Sequence, residues 1–286
     1  MAKTKLIISA LLIAMVVSLA FNAYQWNSNL TLTQQSQKQE MMTLLMQAQA
    51  SINAQLENLD SNLQTACQRL STTGLSGAAA DEVLLDLVSN NTLIVNAATC
   101  GVKDVLEAVQ PSEYSNIIGQ DISSQEQNIR MHQTMRPAMS DLIPLVEGFP
   151  GVVMVAPVFD SNGQFIGSLS IVIQPYQLIS PIVEGPINGT PLSMWAMQVN
   201  GTLIYDPDPQ QQGKNLFTDP IYTNYTEVQA FTHQVAEQQS GYGTYQYYNT
   251  NLDSASKQVV SKEAYWTTIG IYGTQWRLVI VHAVNP

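Results

Sequence analysis

The chain has 286 residues, 45% of them hydrophobic, enough to bury the core of one long domain or two small ones. Its formal net charge is −11, and from residue 25 onward 9 basic side chains stand against 22 acidic ones, a surface that repels phosphate backbones and excludes nucleic acid as a partner. With 2 cysteines and 3 histidines, no C-x-x-C, no H-E-x-x-H, no G-x-S-x-G and no glycine-rich phosphate loop, nothing points to an enzyme, a cofactor or a resident metal.

Residues 6–24, LIISALLIAMVVSLAFNAY, carry no charge and follow Lys3 and Lys5. As a helix they reach roughly 28 Å, the thickness of a bilayer's hydrocarbon core. The basic flank places the N-terminus inside and the body outside, so residues 1–24 are expected to be an uncleaved single-pass anchor with an extracellular body. Ser18, Ala20 and Ala23 leave a cleaved signal peptide as the alternative. The closing VIVHAVNP leads to the expectation that no signalling module follows. Asn29, Asn90, Asn188, Asn200 and Asn224 each open an N-x-[ST] sequon and are candidate glycosylation sites.

Between residues 34 and 72 the composition predicts a long helix. Leu45, Ile52, Leu59 and Ala66 recur every seven residues, and Leu56, Leu63 and Leu70 form a second line. This narrow seam packs within the chain or on a twin subunit, with the intrachain reading preferred. STTGLSG breaks the helix, and AAADEVLLDLVSNNTLIVNAA reads as a second one, giving a helical stalk over 25–100. Cys67 and Cys100 are expected to bridge this pair in an oxidising exterior; two buried free thiols are the alternative.

GVKDVLEAV reads as a short strand or helix, QPSEYSNIIG as a connection, and DISSQEQNIRMHQTM as a helix capped by Asp121. VVMVAPVF, the turn DSNG and QFIGSLSIVI form a hairpin in which Pro157 marks an edge or bulge. PYQLISPIVEGPINGTP gives a short helix and a domain boundary. SMWAMQV and GTLIYD then flank the hairpin turn Asn200-Gly201, and a loop, a helix and three more strands follow. The fold class is α+β, with antiparallel sheets covered by helices.

In this order the elements resemble the double Cache family, the PAS-like extracellular sensors of chemoreceptors and histidine kinases. The resemblance rests on IIGQDIS and VMVAPVFDSNGQFIGSLSIVI in one half, and on VNGTLIYDPDPQQQGKNLF and TIGIYGTQWRLVIVH in the other. It implies an N-terminal transmembrane helix, a stalk helix, a membrane-distal PAS-like domain at 101–180 and a membrane-proximal one at 190–286. It also implies a small ligand held between the distal sheet and the stretch EQNIRMHQTMRPAMSDLI. The chain departs from receptors of this family in carrying no second membrane helix and no cytoplasmic output, so a stand-alone anchored sensor or a truncated relative is expected.

Arg130 and Arg136, two of four arginines, stand beside His132 in that stretch and offer forks of donors to a carboxylate. Tyr114 could close the pocket, and Met154 and Ser170 could line its floor. Amino-acid-binding members carry arginine followed two residues later by tryptophan. Arg130 matches the first position, but His132 replaces the tryptophan, so a carboxylate or another metabolite is equally admissible. Trp195, Tyr205, Trp266 and Trp276 read as core. Asp206, Asp208 and Asp219 read as turn caps in preference to a calcium site. The expected partners are a small-molecule ligand, the membrane, and either a homodimer mate or a separate signalling protein. The competing function is a cell-surface interaction module that has lost its pocket.

Overall fold

The computed structural model describes residues 2–248 and 259–284, with side chains given at most positions from residue 31 and at scattered positions before it. Residues 1–44 and 45–286 form two compact units. Helix α1 (Ala2–Thr73) supplies the whole of the first. There Leu19, Phe21, Tyr24 and Trp26 are exposed. Among the described residues no helix is long and apolar enough to cross a membrane. Most side chains of the expected anchor at 6–24 lie outside the described residues, as does that of Asn29.

In the second unit α1 buries its seam. Ile52, Leu56, Leu59, Leu63 and Leu70 are all 0% exposed, and Leu45 and Ala66 are nearly so. Each such leucine contributes about 1.5–3 kcal/mol of apolar burial. The seam is therefore used within one chain and is not available to a twin subunit. After the turn at Gly74, whose φ of 81° favours glycine, helix α2 (Ala78–Ser89) lies beside α1 and pairs Asp86 with Arg69 at 2.9 Å.

The next segment corrects the sequence reading. Leu93 to Cys100 does not continue a helix: β1 (Ile94–Gly101) is a strand pairing on both sides, with β2 (Leu106–Gln110) and with the later β6 (Phe165–Ile173). Its run of Ile94, Val95 and Thr99 favours a strand, and Asn90-Asn91 ends α2 before it. The helical stalk therefore stops short of residue 100. The expected disulfide fails for the same reason, since Cys67 on α1 and Cys100 on β1 are both free and buried. Burial pushes each thiol up to about 12.

A 3-10 segment (Ser112–Ile117) leads to α3 (Glu126–Thr134), whose N-cap position is held by Gln125 without a side-chain cap bond and not by Asp121, whose carboxylate accepts from the Ser123 backbone N–H instead. Two short strands, β3 (Ala138–Met139) and β4 (Ile143–Pro144), precede the hairpin of β5 (Pro150–Phe159) and β6 (Phe165–Ile173). The first sheet runs β2-β1-β6-β5-β3, with β4 also on β5. Pro157 falls where β3 no longer covers β5, so its missing donor costs no ladder bond, and a bulge follows at Val158/Phe159.

Helix α4 (Pro175–Ile187) leads to a second sheet built from β7 (Leu192–Gln198), β8 (Leu203–Tyr205), β9 (Gly241–Tyr248), β10 (Val259–Ile271) and β11 (Thr274–Val284). Its order is β8-β7-β11-β10-β9, all antiparallel. Helix α5 (Thr226–Glu237) covers one face, packing Phe231 and Val235 among Trp195, Tyr245, Trp266 and Val279. Arg277 fixes the end of this helix by donating to the carbonyls of Val235, Ala236 and Gln238. The four large aromatics expected in the core, Trp195, Tyr205, Trp266 and Trp276, are buried.

Candidate functional site

Strand register decides which side chains share a face. Ala98, Ser170 and Val155 stand opposite one another across β1, β6 and β5, and so do Ala97, Ile171 and Met154 one residue along. Thr99 shares the face of Ala97, and its hydroxyl donates to the Leu75 carbonyl in the α1–α2 turn. Met154 therefore points to the helical side, away from Ser170, and cannot line the same floor.

The Ser170 face is covered by the 3-10 segment and α3. Tyr114 is half-buried there against Ala98, Leu106, Val109 and Ile117, and its ring lies 6.3 Å from that of Phe149. Burial, with Glu113 and Glu147 nearby, pushes its phenol up. Ser170 is buried and donates to the Ala98 carbonyl at 3.3 Å. Asn96, absent from the sequence reading, is buried two residues before Ala98 and donates to Glu147 at 2.8 Å.

His132 is engaged elsewhere. Its Nε2 lies 2.8 Å from Asp104 Oδ2, and its ring meets Phe165 edge-on at 5.3 Å. Asp104 is buried on the β1–β2 turn at a φ of 56°, a position no local signal marked. Arg136 follows the left-handed Met135 and is exposed. The two arginines thus do not converge with His132 on one pocket.

Arg130 is the predicted residue that meets a groove. From α3 its Nη2 donates to the Met139 carbonyl and to Thr274 Oγ1 at 3.3 Å, and Glu126 pairs with it at 3.5 Å. Its Nε is buried and, among the described residues, has no hydrogen-bond partner, and the same holds for Gln127 Oε1. Both residues line a groove of about 510 Å³ between α3 and the β10–β11 turn, together with Ser140, Asp141, Thr274 and Gln275. Burial pushes the Asp141 carboxyl up while Arg130 opposes the shift, and the Asn200 amide donates to it at 3.3 Å. An unmet donor, an unmet acceptor and a carboxylate around one opening suit a small ligand with a carboxylate and a hydrogen-bonding second group. Gln127 and Thr274 went unread in the sequence because nothing local links α3 to a strand 144 residues on.

Asn90, Asn188, Asn200 and Asn224 are exposed. Asp206, Asp208 and Asp219 accept from the backbone N–H groups of Asp208, Gln210 and Ile221, which makes them turn caps.

Residues 54–175 match the family model described as "HK/GC/Chemotaxis protein-like, sensor domain". A comparison with curated proteins finds no match. Among solved structures, an extracellular ligand binding receptor from Desulfohalobium retbaense is 35% identical at a TM-score of 0.70, with 84% of this chain and 39% of that one covered. The chain thus spans 39% of that receptor's length. The ligand-binding domain of the Pseudomonas fluorescens chemoreceptor CtaA, in complex with L-serine, is 12% identical at a TM-score of 0.62, covering 87% and 98% of the two chains. That of the Pseudomonas aeruginosa chemoreceptor PctC, in complex with GABA, is 16% identical at 0.59, covering 83% and 95%. Sensor domains of this kind are non-catalytic ligand-binding modules. With two antiparallel sheets along one helix and that match over residues 54–175, the chain is similar to the Cache-type extracellular sensor domains of chemoreceptors and histidine kinases.

Proposed function

We propose that this chain is the extracellular sensing part of a membrane-anchored receptor and that it binds a small carboxylate-bearing ligand at Arg130. The observation that carries the reading is the buried Arg130 Nε without a partner, set in a groove beside Gln127 and Asp141. A buried guanidinium N–H left unmet is costly, and a ligand carboxylate supplies the missing acceptor. The ligands of similar sensors, L-serine and GABA, each pair a carboxylate with an amine, which Gln127 and Asp141 are suited to receive. Anchoring rests on the uncharged run at 6–24, on the exposed Tyr24 at its end and on the exposed Trp26 just after it, residues that favour a membrane interface.

The groove joins the two sheets, so a ligand there acts on their contact. A carboxylate that draws Arg130 away from Thr274 changes how α3 sits against β11. Helix α1 reads the second sheet through Gln49, which donates to the Thr268 carbonyl at 2.8 Å, and Asn53, which accepts from the Gly270 N–H at 3.2 Å. Ligand binding signals to the extent that one arrangement holds the ligand better than the other.

Calorimetry of the chain and of Arg130→Ala against amino acids and small organic acids tests this. A ligand found in the screen is expected to lose at least about tenfold in affinity in the variant, one charge-assisted hydrogen-bonded contact being lost. Equal affinity in the two proteins removes Arg130 from the site.

A further inference from the structure

We infer that the second sheet carries a binding site of its own, a cavity under α5 that takes a monocarboxylate of two or three carbons, with Lys262 as the group that holds the carboxylate. The cavity, of about 60 Å³, is lined by Ser193, Trp195, Asp206, Tyr222, Tyr245 and Lys262 among others. It lies on the face that α5 covers, separate from the groove at Arg130.

Lys262, on β10, is 5% exposed. Among the described residues its ammonium makes no ion pair within 4.0 Å, and Nζ lies over the Tyr247 ring, 5.6 Å from its centre. A buried cation without a counter-ion costs several kcal/mol unless something offsets it. Burial pulls this amine down to about 8, and Asp206 only partly restores it. Asp206 faces the same cavity, and burial pushes its carboxyl up to about 7. The two groups influence each other without meeting, and the other walls are mostly aromatic and aliphatic, Leu203, Leu216 and Val228 among them, with Gln211 and Thr232 as further polar lining.

Size and charge select the ligand. A water needs roughly 10–15 Å³ of such space, so this cavity matches about four non-hydrogen atoms, the size of acetate, with propionate near the upper limit. A carboxylate accepts from the Lys262 ammonium, and also from the Asp206 carboxyl at pH values where that group is protonated, while a methyl or ethyl tail meets Leu203, Leu216 and Val228. An added ligand ammonium would need Asp206 charged, and its buried setting disfavours that form. Asp206 Oδ1 is also already accepting from the Asp208 N–H at 2.8 Å.

The test is calorimetry and thermal shift on the full chain with sodium acetate, propionate, glycine and hexanoate, and sodium chloride as ionic control. In the Arg130→Ala background, where the other carboxylate site is disabled, acetate and propionate are expected to bind saturably and raise the melting temperature, hexanoate and glycine to bind at least tenfold more weakly. Lys262→Met should fold at least as stably as the wild type, because it removes the unpaired buried charge, and should lose acetate binding at least tenfold. If Lys262→Met does not fold, Lys262→Gln provides the same comparison. Acetate binding that persists in Arg130→Ala and disappears on further loss of Lys262 belongs to this cavity, so this site and the one at Arg130 stand or fall separately. No saturable acetate binding to folded Arg130→Ala protein, glycine binding as tight as acetate in that background, or acetate binding there unchanged by loss of the lysine would each overturn the proposal.

Discussion

Arg130 and Thr274 lie 144 residues apart in the chain and 3.3 Å apart in the fold, where the guanidinium of α3 donates to the hydroxyl at the start of β11. The same hydroxyl donates to the Met139 carbonyl, so one side chain ties the edge of the first sheet to the last hairpin of the second. Thr274 is nearly buried, which keeps water from replacing these bonds.

Thr274→Val keeps the shape and removes both bonds. It is expected to cost about 1–2 kcal/mol in urea unfolding, since a buried carbonyl and a guanidinium N–H lose a partner. It should strengthen any ligand that competes for Arg130, because the competing bond is gone. A variant as stable as the wild type, with the same ligand affinity, would show that this contact couples nothing.

Leu59 sits in the middle of the seam with no exposed surface. Leu59→Ala should destabilise the protein by about 2–5 kcal/mol through lost burial and the cavity left behind. Because the seam is used within the chain, light scattering on the folded variant should report the oligomer size of the wild type. A change of oligomer size without loss of stability would return the seam to an interface between copies.

Both thiols are buried and held up at about 12, a state of low reactivity. A thiol reagent should label neither Cys67 nor Cys100 in the native protein and both after denaturation, and dithiothreitol should leave the melting temperature unchanged. Loss of stability under reductant would instead reveal a bridge.

The Asp206–Lys262 region should shape stability against pH. Asp206 rises from 3.8 to about 7 on folding, so its contribution is complete below pH 3.8 and is lost as pH climbs through 7. Lys262 falls from 10.5 to about 8, so its contribution is present above pH 10.5 and is lost as pH drops through 8. The two costs overlap between pH 7 and 8, in surroundings that also hold Asp208, Asp219, Tyr222, Tyr245 and Tyr247. Asp206→Asn keeps the turn acceptor and removes the titration. Its melting temperature should exceed that of the wild type at pH 7.5 and match it near pH 4. A constant difference between the two proteins across that range would assign the titration to other groups.

Local pattern was enough for several elements. The seven-residue spacing of Leu45, Ile52 and Leu59 specified a helix with one buried stripe, because that period fits one face of the α-helical turn. DSNG and Asn200-Gly201 fixed two hairpins through their turn geometry, and Asp206, Asp208 and Asp219 read correctly as turn caps. Local pattern misled at LIVNAATC, where a run of apolar residues fits a buried strand as well as a buried helix. Pairing with β2 and β6 made it a strand.

The amino-acid sequence alone therefore determined the helix with its stripe, the turns, most of the strands and an acidic exterior, since each depends on neighbours within a few residues. Tertiary structure alone decided that Met154 and Ser170 face opposite ways, that His132 is taken by Asp104, that Cys67 and Cys100 stay apart, and that Arg130 opens on a groove with Thr274. Those outcomes depend on strand register and on contacts between distant segments, which are set only when the sheets close.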